Sequence, residues 1–123
     1  MAQDRWKNLE VWKLADELAY QIYLVTRNFP KEEIYGLTSQ LRRAALSVPT
    51  NLVEGYSRKG DRELSRFVNI SLGSMAETKY LLHFAHRLGY LSDNDYEELE
   101  QGYERLGKKL WKFYKAVRGN SKE

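Results

Sequence analysis

Apolar side chains recur every three or four residues along four segments of the chain, a spacing that predicts four amphipathic helices. The predicted helices cover roughly residues 9–28, 36–55, 61–88 and 92–118. Pro30 follows the first helix, Gly89 stops the third, and Ser92 is a favourable N-cap for the fourth. No segment alternates polar and apolar residues as a strand does. We therefore predict an all-α protein, an antiparallel up-and-down four-helix bundle in a single domain over residues 1–123.

The second predicted helix contains a proline, Pro49, within an otherwise amphipathic sequence. Proline lacks a backbone donor and clashes with the carbonyl four residues back, here that of Ala45, at a cost of roughly 3 kcal/mol. We therefore expect the helix to be kinked at Pro49, with a polar group near the freed carbonyl. Gly55 is expected to end this helix as a left-handed cap, and residues 57–61 to form a turn.

The first three helices carry more apolar surface than one bundle core requires. A second apolar stripe runs beside the main one and contains Trp12, Tyr23, Leu46, Val53, Ile70, Leu81 and Phe84. Exposed apolar patches commonly mark contacts between proteins, so we predict that these residues form an oligomer interface. The alternative interpretation is that wide stripes only reflect how helices wrap around one another in a compact bundle.

The composition narrows the class of protein. The 123-residue chain contains no cysteine, which excludes disulfides, thiolate metal sites and cysteine nucleophiles and is typical of a reducing cytoplasm. The N-terminal sequence lacks the apolar core of a signal peptide, and no apolar run approaches the roughly 18 residues of a membrane span. We expect a cytoplasmic protein with no membrane partner.

The distribution of basic residues is more informative than the modest net charge of +3. Basic residues cluster along one arc of the fourth helix, around the turn before the third helix, and on the second helix. The predicted nucleic-acid-binding set is Arg42, Arg43, Arg58, Lys59, Arg62, Arg66, Arg105, Lys108, Lys109, Lys112 and Lys115. With aromatic residues nearby, such groups suit contact with phosphates and stacking on bases of RNA or DNA. The alternative is that bases at the end of a helix only complement its dipole and keep its surface solvated.

Catalytic chemistry finds little support in the sequence. His83 and His86 are the only histidines, and their i, i+3 spacing lacks the third ligand of a zinc site, so a packed or interfacial His86 is favoured. No nucleophile elbow, serine–histidine–acid set or glycine-rich phosphate loop is present. Glu54, an acid near a helix C-terminus, is interpreted as paired with Arg43, Arg58 or a neighbouring subunit. We predict no catalytic residue, no metal and no cofactor.

One long segment carries a family resemblance. Residues 36–77, with the sequence GLTSQLRRAALSVPTNLVEGYSRKGDRELSRFVNISLGSMAE, closely resemble the four-helix bundle proteins of the 23S rRNA intervening-sequence protein family. Residues 9–30 and 88–91 resemble other recurring blocks of that family. The matching motif, interpreted as architectural, comprises Ser47, Pro49, Asn51, Glu54 and Gly55, followed by Arg58.

The resemblance implies an antiparallel bundle that assembles into a homopentamer and has no settled catalytic activity. A related bundle is the accessory protein of diversity-generating retroelements, which binds nucleic acid and a reverse transcriptase through a basic surface. We therefore predict a non-enzymatic, oligomeric accessory protein that binds nucleic acid, associated with RNA or rRNA. The alternative is a protein-interaction scaffold that recruits a partner such as a reverse transcriptase without touching nucleic acid.

Overall fold

Four long helices account for most of the computed structural model, which describes residues 4–120. The helices are α1 (Glu10–Thr26), α2 (Leu37–Ser57), α3 (Gly60–Arg87) and α4 (Asp93–Gly119). Short 3-10 turns at Arg5–Asn8 and Lys31–Glu33 precede α1 and α2, and residues 4–120 contain no strand. Each predicted helix boundary lies within two residues of the observed one. Hydrophobic periodicity was therefore sufficient to define the elements.

The helices pack as an antiparallel bundle in which each contacts two neighbours. α1 packs against α2 and α4, and α3 packs against the same two helices, whereas diagonal pairs do not meet within the described part of the chain. The side chains at the centre are fully buried, and the largest are Tyr103, Ile22, Leu41, Leu52, Leu82, Leu106 and Leu110. Burial of each such aliphatic side chain contributes about 1.5–3 kcal/mol. The predicted four-helix bundle is confirmed.

The connection between α3 and α4 follows the predicted signals. Gly89 has a φ of 81°, and the amide of Tyr90 donates to the carbonyl of Ala85 at 3.0 Å, which closes the end of α3 in a Schellman arrangement. Ser92 then caps α4, because its Oγ accepts from the amide of Asp95 at 3.0 Å. These two contacts fix the point at which α4 reverses direction along α3.

The expectation that Gly55 caps α2 is wrong. α2 continues to Ser57, and the glycine with a positive φ at this junction is Gly60, at 87°. Gly55 instead lies buried where α2 packs against α3. A Cβ on Gly55 would lie 2.9 Å from Leu64 Cδ1 and 3.1 Å from Phe67 Cβ. The glycine is therefore required by packing between helices rather than by a left-handed backbone.

α2 runs unbroken through Pro49, which is itself buried. The side chain of Thr50 donates to the carbonyl four residues back at 2.7 Å, and Ser71 of α3 donates to the carbonyl of Val48 at 2.8 Å. Among the described residues, these donors reach carbonyls that follow Ala45, not the carbonyl that Pro49 leaves without its helical donor. The polar groups near Pro49 therefore bind carbonyls next to the one that we expected them to bind. The kink at Pro49 stays a prediction.

Within residues 4–120, no helix has both the length and the apolar content needed to cross a membrane.

Candidate nucleic-acid interface

The two halves of α4 carry opposite charge. Residues 93–105 contain six acidic residues, whereas residues 106–119 contain five basic residues and no acid. Leu106, Leu110 and Val117 face the core, so the cations of this half lie on the solvent side of the helix. We call this surface the α4 basic face, formed by Lys108, Lys109, Lys112, Lys115 and Arg118.

Aromatic rings accompany the cations of the α4 basic face. Lys115 Nζ lies 5.7 Å from the ring centroid of Trp111, and Arg118 Cζ lies 6.0 Å from that of Tyr114. The two rings are themselves 5.6 Å apart and inclined by 25°, and Trp111 is 50% exposed. None of the five cations forms an ion pair with a carboxylate of residues 4–120. Their charges are therefore available to an anionic ligand.

A second basic cluster lies where α2 meets α3, and its arginines are engaged within the protein. Arg58 pairs with Glu54 at 2.7 Å, which confirms the predicted pairing of that carboxylate, and Arg66 pairs with Glu63 at 3.3 Å. The guanidinium carbons of Arg58 and Arg66 lie 5.4 and 4.5 Å from the ring centroid of Phe67, a buried side chain. We call this assembly the α2–α3 junction.

Both basic regions lie at the same end of the bundle. Lys79 Nζ donates to Glu104 Oε2 at 2.7 Å, and a Cβ on Gly107 would lie 3.3 Å from Met75 Cε. Residue numbers therefore fall along α3 as they rise along α4, and this register brings the start of α3 level with the last turns of α4. The ammonium of Lys79 lowers the pKa of the Glu104 carboxyl, through their hydrogen bond and then through charge.

Arg42 and Arg43 lie far from these regions, near the opposite end of the bundle. Arg42 Nε donates to Thr26 Oγ1 at 2.8 Å, and its guanidinium carbon lies 4.9 Å from the ring centroid of Tyr23. Arg43 is exposed beside it. The structure therefore does not join these two residues to the α4 basic face.

The other predicted basic residues lie at the α2–α3 junction and in the middle of α4. Lys59 and Arg62 are exposed at the α2–α3 junction. Arg105 lines a cleft of about 210 Å³ between α1 and α4, together with Glu17 and Glu98. Arg105 therefore shares this cleft with acidic residues of α1 and α4.

Six of the seven predicted interface residues retain exposed surface. Tyr23, Leu46, Ile70 and Phe84 are exposed, whereas Trp12 and Val53 are half-buried. The prediction is wrong for Leu81, which is 8% exposed and belongs to the core of the bundle. Its position on the side of α3 that faces α2 explains the difference, since these two helices pack closely.

The family motif in α2 makes a polar contact with α3. The hydroxyl oxygens of Ser47 and Ser74 lie 2.9 Å apart, and Asn51 Nδ2 donates to both the carbonyl and the hydroxyl of Ser47 at 2.8 Å. Each group finds its partner within the protein. This geometry agrees with the architectural interpretation of Ser47 and Asn51.

His86 packs as predicted. Its Nε2 lies 2.7 Å from Asp93 Oδ1, and its ring stacks on Tyr96 with centroids 4.3 Å apart and planes inclined by 4°. His83 is exposed on the next turn. Within the described residues, no group of three or more His, Asp or Glu side chains is arranged to hold a metal.

Sequence reasoning missed the aromatic part of the candidate interface. Trp111 and Tyr114 lie at i, i+3 spacing among the basic residues of α4, but neither was included in the predicted binding set. The available signal was a tryptophan on the polar side of an amphipathic helix, where packing does not require one.

Comparison with known proteins identifies a matching family and solved structures of similar fold. The model of the family described as 23S rRNA-intervening sequence protein matches residues 7–112. The crystal structure of a protein of unknown function from the S23 ribosomal protein family of Bacteroides thetaiotaomicron is similar, with a TM-score of 0.76 and 23% sequence identity. The match covers 85% of this chain and 98% of that one, and at this identity it bears on the fold alone. No curated protein sequence matches the chain.

Proposed function

Because the chain belongs to the 23S rRNA-intervening sequence protein family, we propose that it is a non-enzymatic accessory protein that binds nucleic acid through the α4 basic face. The observation that carries this proposal is the run of five cations in residues 106–119 with no acid among them. Lysine and arginine side chains bind the phosphates of a nucleic acid and release its counterions, which is favourable at moderate salt. RNA is the first candidate ligand because of the family to which the chain belongs.

The α4 basic face suits this role better than the α2–α3 junction does. The two arginines of the junction already pair with Glu54 and Glu63, so a phosphate there must compete with a carboxylate of the same chain. Lys109 and Lys112 form no ion pair with a carboxylate of residues 4–120, and Lys108 has only a weaker charge interaction with Glu104. A ligand therefore gains more from the α4 basic face.

Self-association is part of the proposal, and the homopentamer implied by the family resemblance is its expected form. The exposed apolar residues occupy separate elements, with Tyr23 on α1, Leu46 on α2 and Phe84 on α3. Exposed apolar residues on several faces of one subunit suit the head-to-tail contacts that close a ring. A ring repeats the α4 basic face with its symmetry, so that several weak contacts act together as avidity. The proposal also includes a cytoplasmic location, in keeping with a chain that has no cysteine.

The decisive experiment removes three charges from the α4 basic face. The variant Lys108→Gln, Lys109→Gln, Lys112→Gln is compared with the native protein for retention of a labelled RNA at several salt concentrations. We expect native binding to weaken as salt rises, and the variant to bind at least about tenfold more weakly at low salt. Light scattering at micromolar concentration measures the oligomer mass of both proteins, which we expect to exceed that of one chain.

A matched control removes the same charge from the other end of the bundle. The variant Arg27→Gln, Lys31→Gln, Arg87→Gln replaces exposed residues near the end of α1, the start of α2 and the end of α3. We expect it to retain most RNA binding. Equal losses in the two variants would show that only net charge matters, and no loss in either would count against the α4 basic face.

A protein partner is the second candidate, favoured by a groove between α2 and α3. The groove has a volume of about 380 Å³ and is lined in part by Tyr80, Phe84 and Leu88, all of which are exposed. Apolar surface of this kind is a common site of protein contact. RNA retention that is unchanged after loss of the three lysines would favour this scaffold function, with the basic residues serving solubility.

A further inference from the structure

We propose that the α4 basic face selects nucleic acid with unpaired bases, because Trp111 offers a platform on which an extruded base stacks. This inference rests on the proposed function and names its substrate class, a single-stranded polynucleotide. Its main observation is separate, since it concerns the exposed ring of Trp111.

The environment of Trp111 differs from that of the other tryptophans. Trp6 and Trp12 are half-buried and pack edge to face, with ring centroids 4.7 Å apart. Trp111 is 50% exposed on a helix face that it shares with Lys108, Tyr114 and Lys115. A large ring in that position contributes little to the core. Because exposing its apolar area to water is unfavourable, the ring is better explained by contact with a ligand.

The spacing along α4 places charge on both sides of the ring. Lys108, Trp111 and Lys115 lie at i, i+3 and i+7, positions that share one helix face. At 1.5 Å per residue, the two lysines are separated by about 10 Å along the helix axis. Phosphates of a stacked strand repeat every ~3.4 Å, and those of an unstacked strand lie farther apart, so the two lysines are spaced to reach different phosphates of one strand. A strand lying along α4 therefore reaches both lysines with its phosphates while one of its bases lies over Trp111.

The second ring extends this platform. Tyr114 lies beside Trp111 with the planes inclined by only 25°, and Arg118 lies over the Tyr114 ring. A guanidinium next to a ring both binds phosphate and strengthens stacking. Stacking on aromatic side chains tolerates any base, since every base has a π face. We therefore expect selection for single strands with little preference for sequence.

A duplex can contact the cations of this surface but not its aromatic rings. Its phosphates reach the lysines, but its bases are stacked on one another and paired, so that Trp111 has no base to contact without unstacking. Discrimination between paired and unpaired strands follows from the ring, whereas the charges bind both forms.

The test uses fluorescein-labelled probes of equal length, measured by fluorescence anisotropy against the full chain at one salt concentration. The probes are an oligo-uridine strand, an oligo-thymidine strand, an abasic strand with the same phosphates, and a blunt duplex. The native protein is expected to bind the two base-bearing strands about tenfold more tightly than the abasic strand or the duplex. Comparing the affinity for the oligo-uridine strand with that for the oligo-thymidine strand shows whether the protein prefers RNA or DNA.

Three substitutions complete the test. Trp111→Ala is expected to lower affinity for the base-bearing strands about tenfold without changing affinity for the abasic strand, and Trp111→Phe to retain most of it. Tyr35→Ala is the matched control, because Tyr35 is 95% exposed but lies before α2 at the opposite end of the bundle. Tyr35→Ala is expected to leave the affinity for all four probes unchanged.

The outcomes separate this inference from the proposed function. If the native protein binds the abasic strand as tightly as the base-bearing strands, or Trp111→Ala changes neither, stacking is excluded while charge-driven binding stands. If none of the four probes is bound, both proposals are overturned.

Discussion

Two clusters at one end of the bundle combine aromatic rings with cations, and they differ in what the combination serves. At the α2–α3 junction, Phe67 is buried beneath Arg58 and Arg66, whose charges are met by carboxylates of the same helices. On the α4 basic face, Trp111 is exposed beside Lys115, which has no ion pair with a carboxylate of residues 4–120. The arginines of the first cluster are paired within the chain, whereas Lys115 beside the exposed ring of the second is not paired with a carboxylate of residues 4–120.

The comparison shows why basic residues cannot be assigned to a binding site by number alone. Both clusters contribute several positive charges to the sequence, yet a carboxylate beside an arginine offsets its charge and so weakens its attraction for a further anion. Whether each charge is already paired within the chain therefore decides which surface can bind an anionic ligand. Substitutions in the two clusters should therefore distinguish a cluster that stabilises the fold from one that binds a ligand.

Replacing the two central rings should give the largest contrast. Phe67→Ala removes a buried ring at the junction and is expected to lower the free energy of unfolding by roughly 3–5 kcal/mol. Trp111→Ala removes an exposed ring and is expected to change it by less than about 0.5 kcal/mol. Urea unfolding followed by circular dichroism measures both values. A large loss of stability for Trp111→Ala would show that its ring serves packing.

The same substitution at two glycines should give the next contrast. Gly55→Ala forces a Cβ against Leu64 and Phe67 and is expected to destabilise the protein by about 1–3 kcal/mol. Gly119→Ala, in the last turn of α4, meets no atom within 4 Å and is expected to leave stability unchanged or slightly raised. Thermal and urea unfolding of the two variants check this. Equal stability for both would mean that α2 and α3 separate easily at Gly55.

Removing two charges from the α4 basic face should change the salt dependence of nucleic-acid binding, whereas removing two from the α2–α3 junction should not. Lys108→Gln with Lys112→Gln is expected to reduce the slope of log affinity against log salt by roughly 1.4 for a single-stranded probe, about 0.7 per phosphate contact. Arg58→Gln with Arg66→Gln removes the same charge from paired residues and is expected to leave the slope nearly unchanged. Anisotropy titrations at four or five salt concentrations supply the slopes. A similar change in both variants would contradict the distinction between the clusters.

The bundle was predictable from the sequence because its signals are local. Helical periodicity, Gly89 and the Ser92 cap each act within a few residues, and the observed elements follow them. Gly55 and Leu81 were misjudged because their roles depend on how closely α2 and α3 approach. That distance is a property of tertiary packing, which residue spacing along one helix does not contain.

The candidate site was only partly predictable for the same reason. The basic run of α4 is visible in the sequence, as is the i, i+4 pair of Glu54 and Arg58. The position of Arg42 at the far end depends on the antiparallel packing of the helices, and the exposure of Trp111 depends on which side of α4 meets the core. The sequence identifies the basic residues, but only the fold shows which of their charges are paired within the chain and which are not.

The smallest expected effect lies at the acidic border of the α4 basic face. The pKa of Glu104 is lowered first by the hydrogen bond from Lys79, then by the charge of Lys79, and to a lesser extent by Lys108. Lys79→Met is therefore expected to raise this pKa toward its ordinary value, and Lys108→Gln to raise it less. Carboxyl titration by NMR measures both shifts.

The sign of the accompanying change in stability follows from linkage. A carboxyl with a lowered pKa stabilises the fold above its ordinary pKa, and this contribution is lost as the pH falls through the lowered value. On acidification, the native protein should therefore lose slightly more stability than Lys79→Met, since the variant lacks the interaction that lowers the pKa of Glu104. Glu104→Gln is the matched control, because it removes the titrating group and should reduce the acid sensitivity in the same way. A larger shift from Lys108→Gln than from Lys79→Met would mean that the cations of the α4 basic face are engaged with Glu104, and the contrast with the α2–α3 junction would then fail for Lys108.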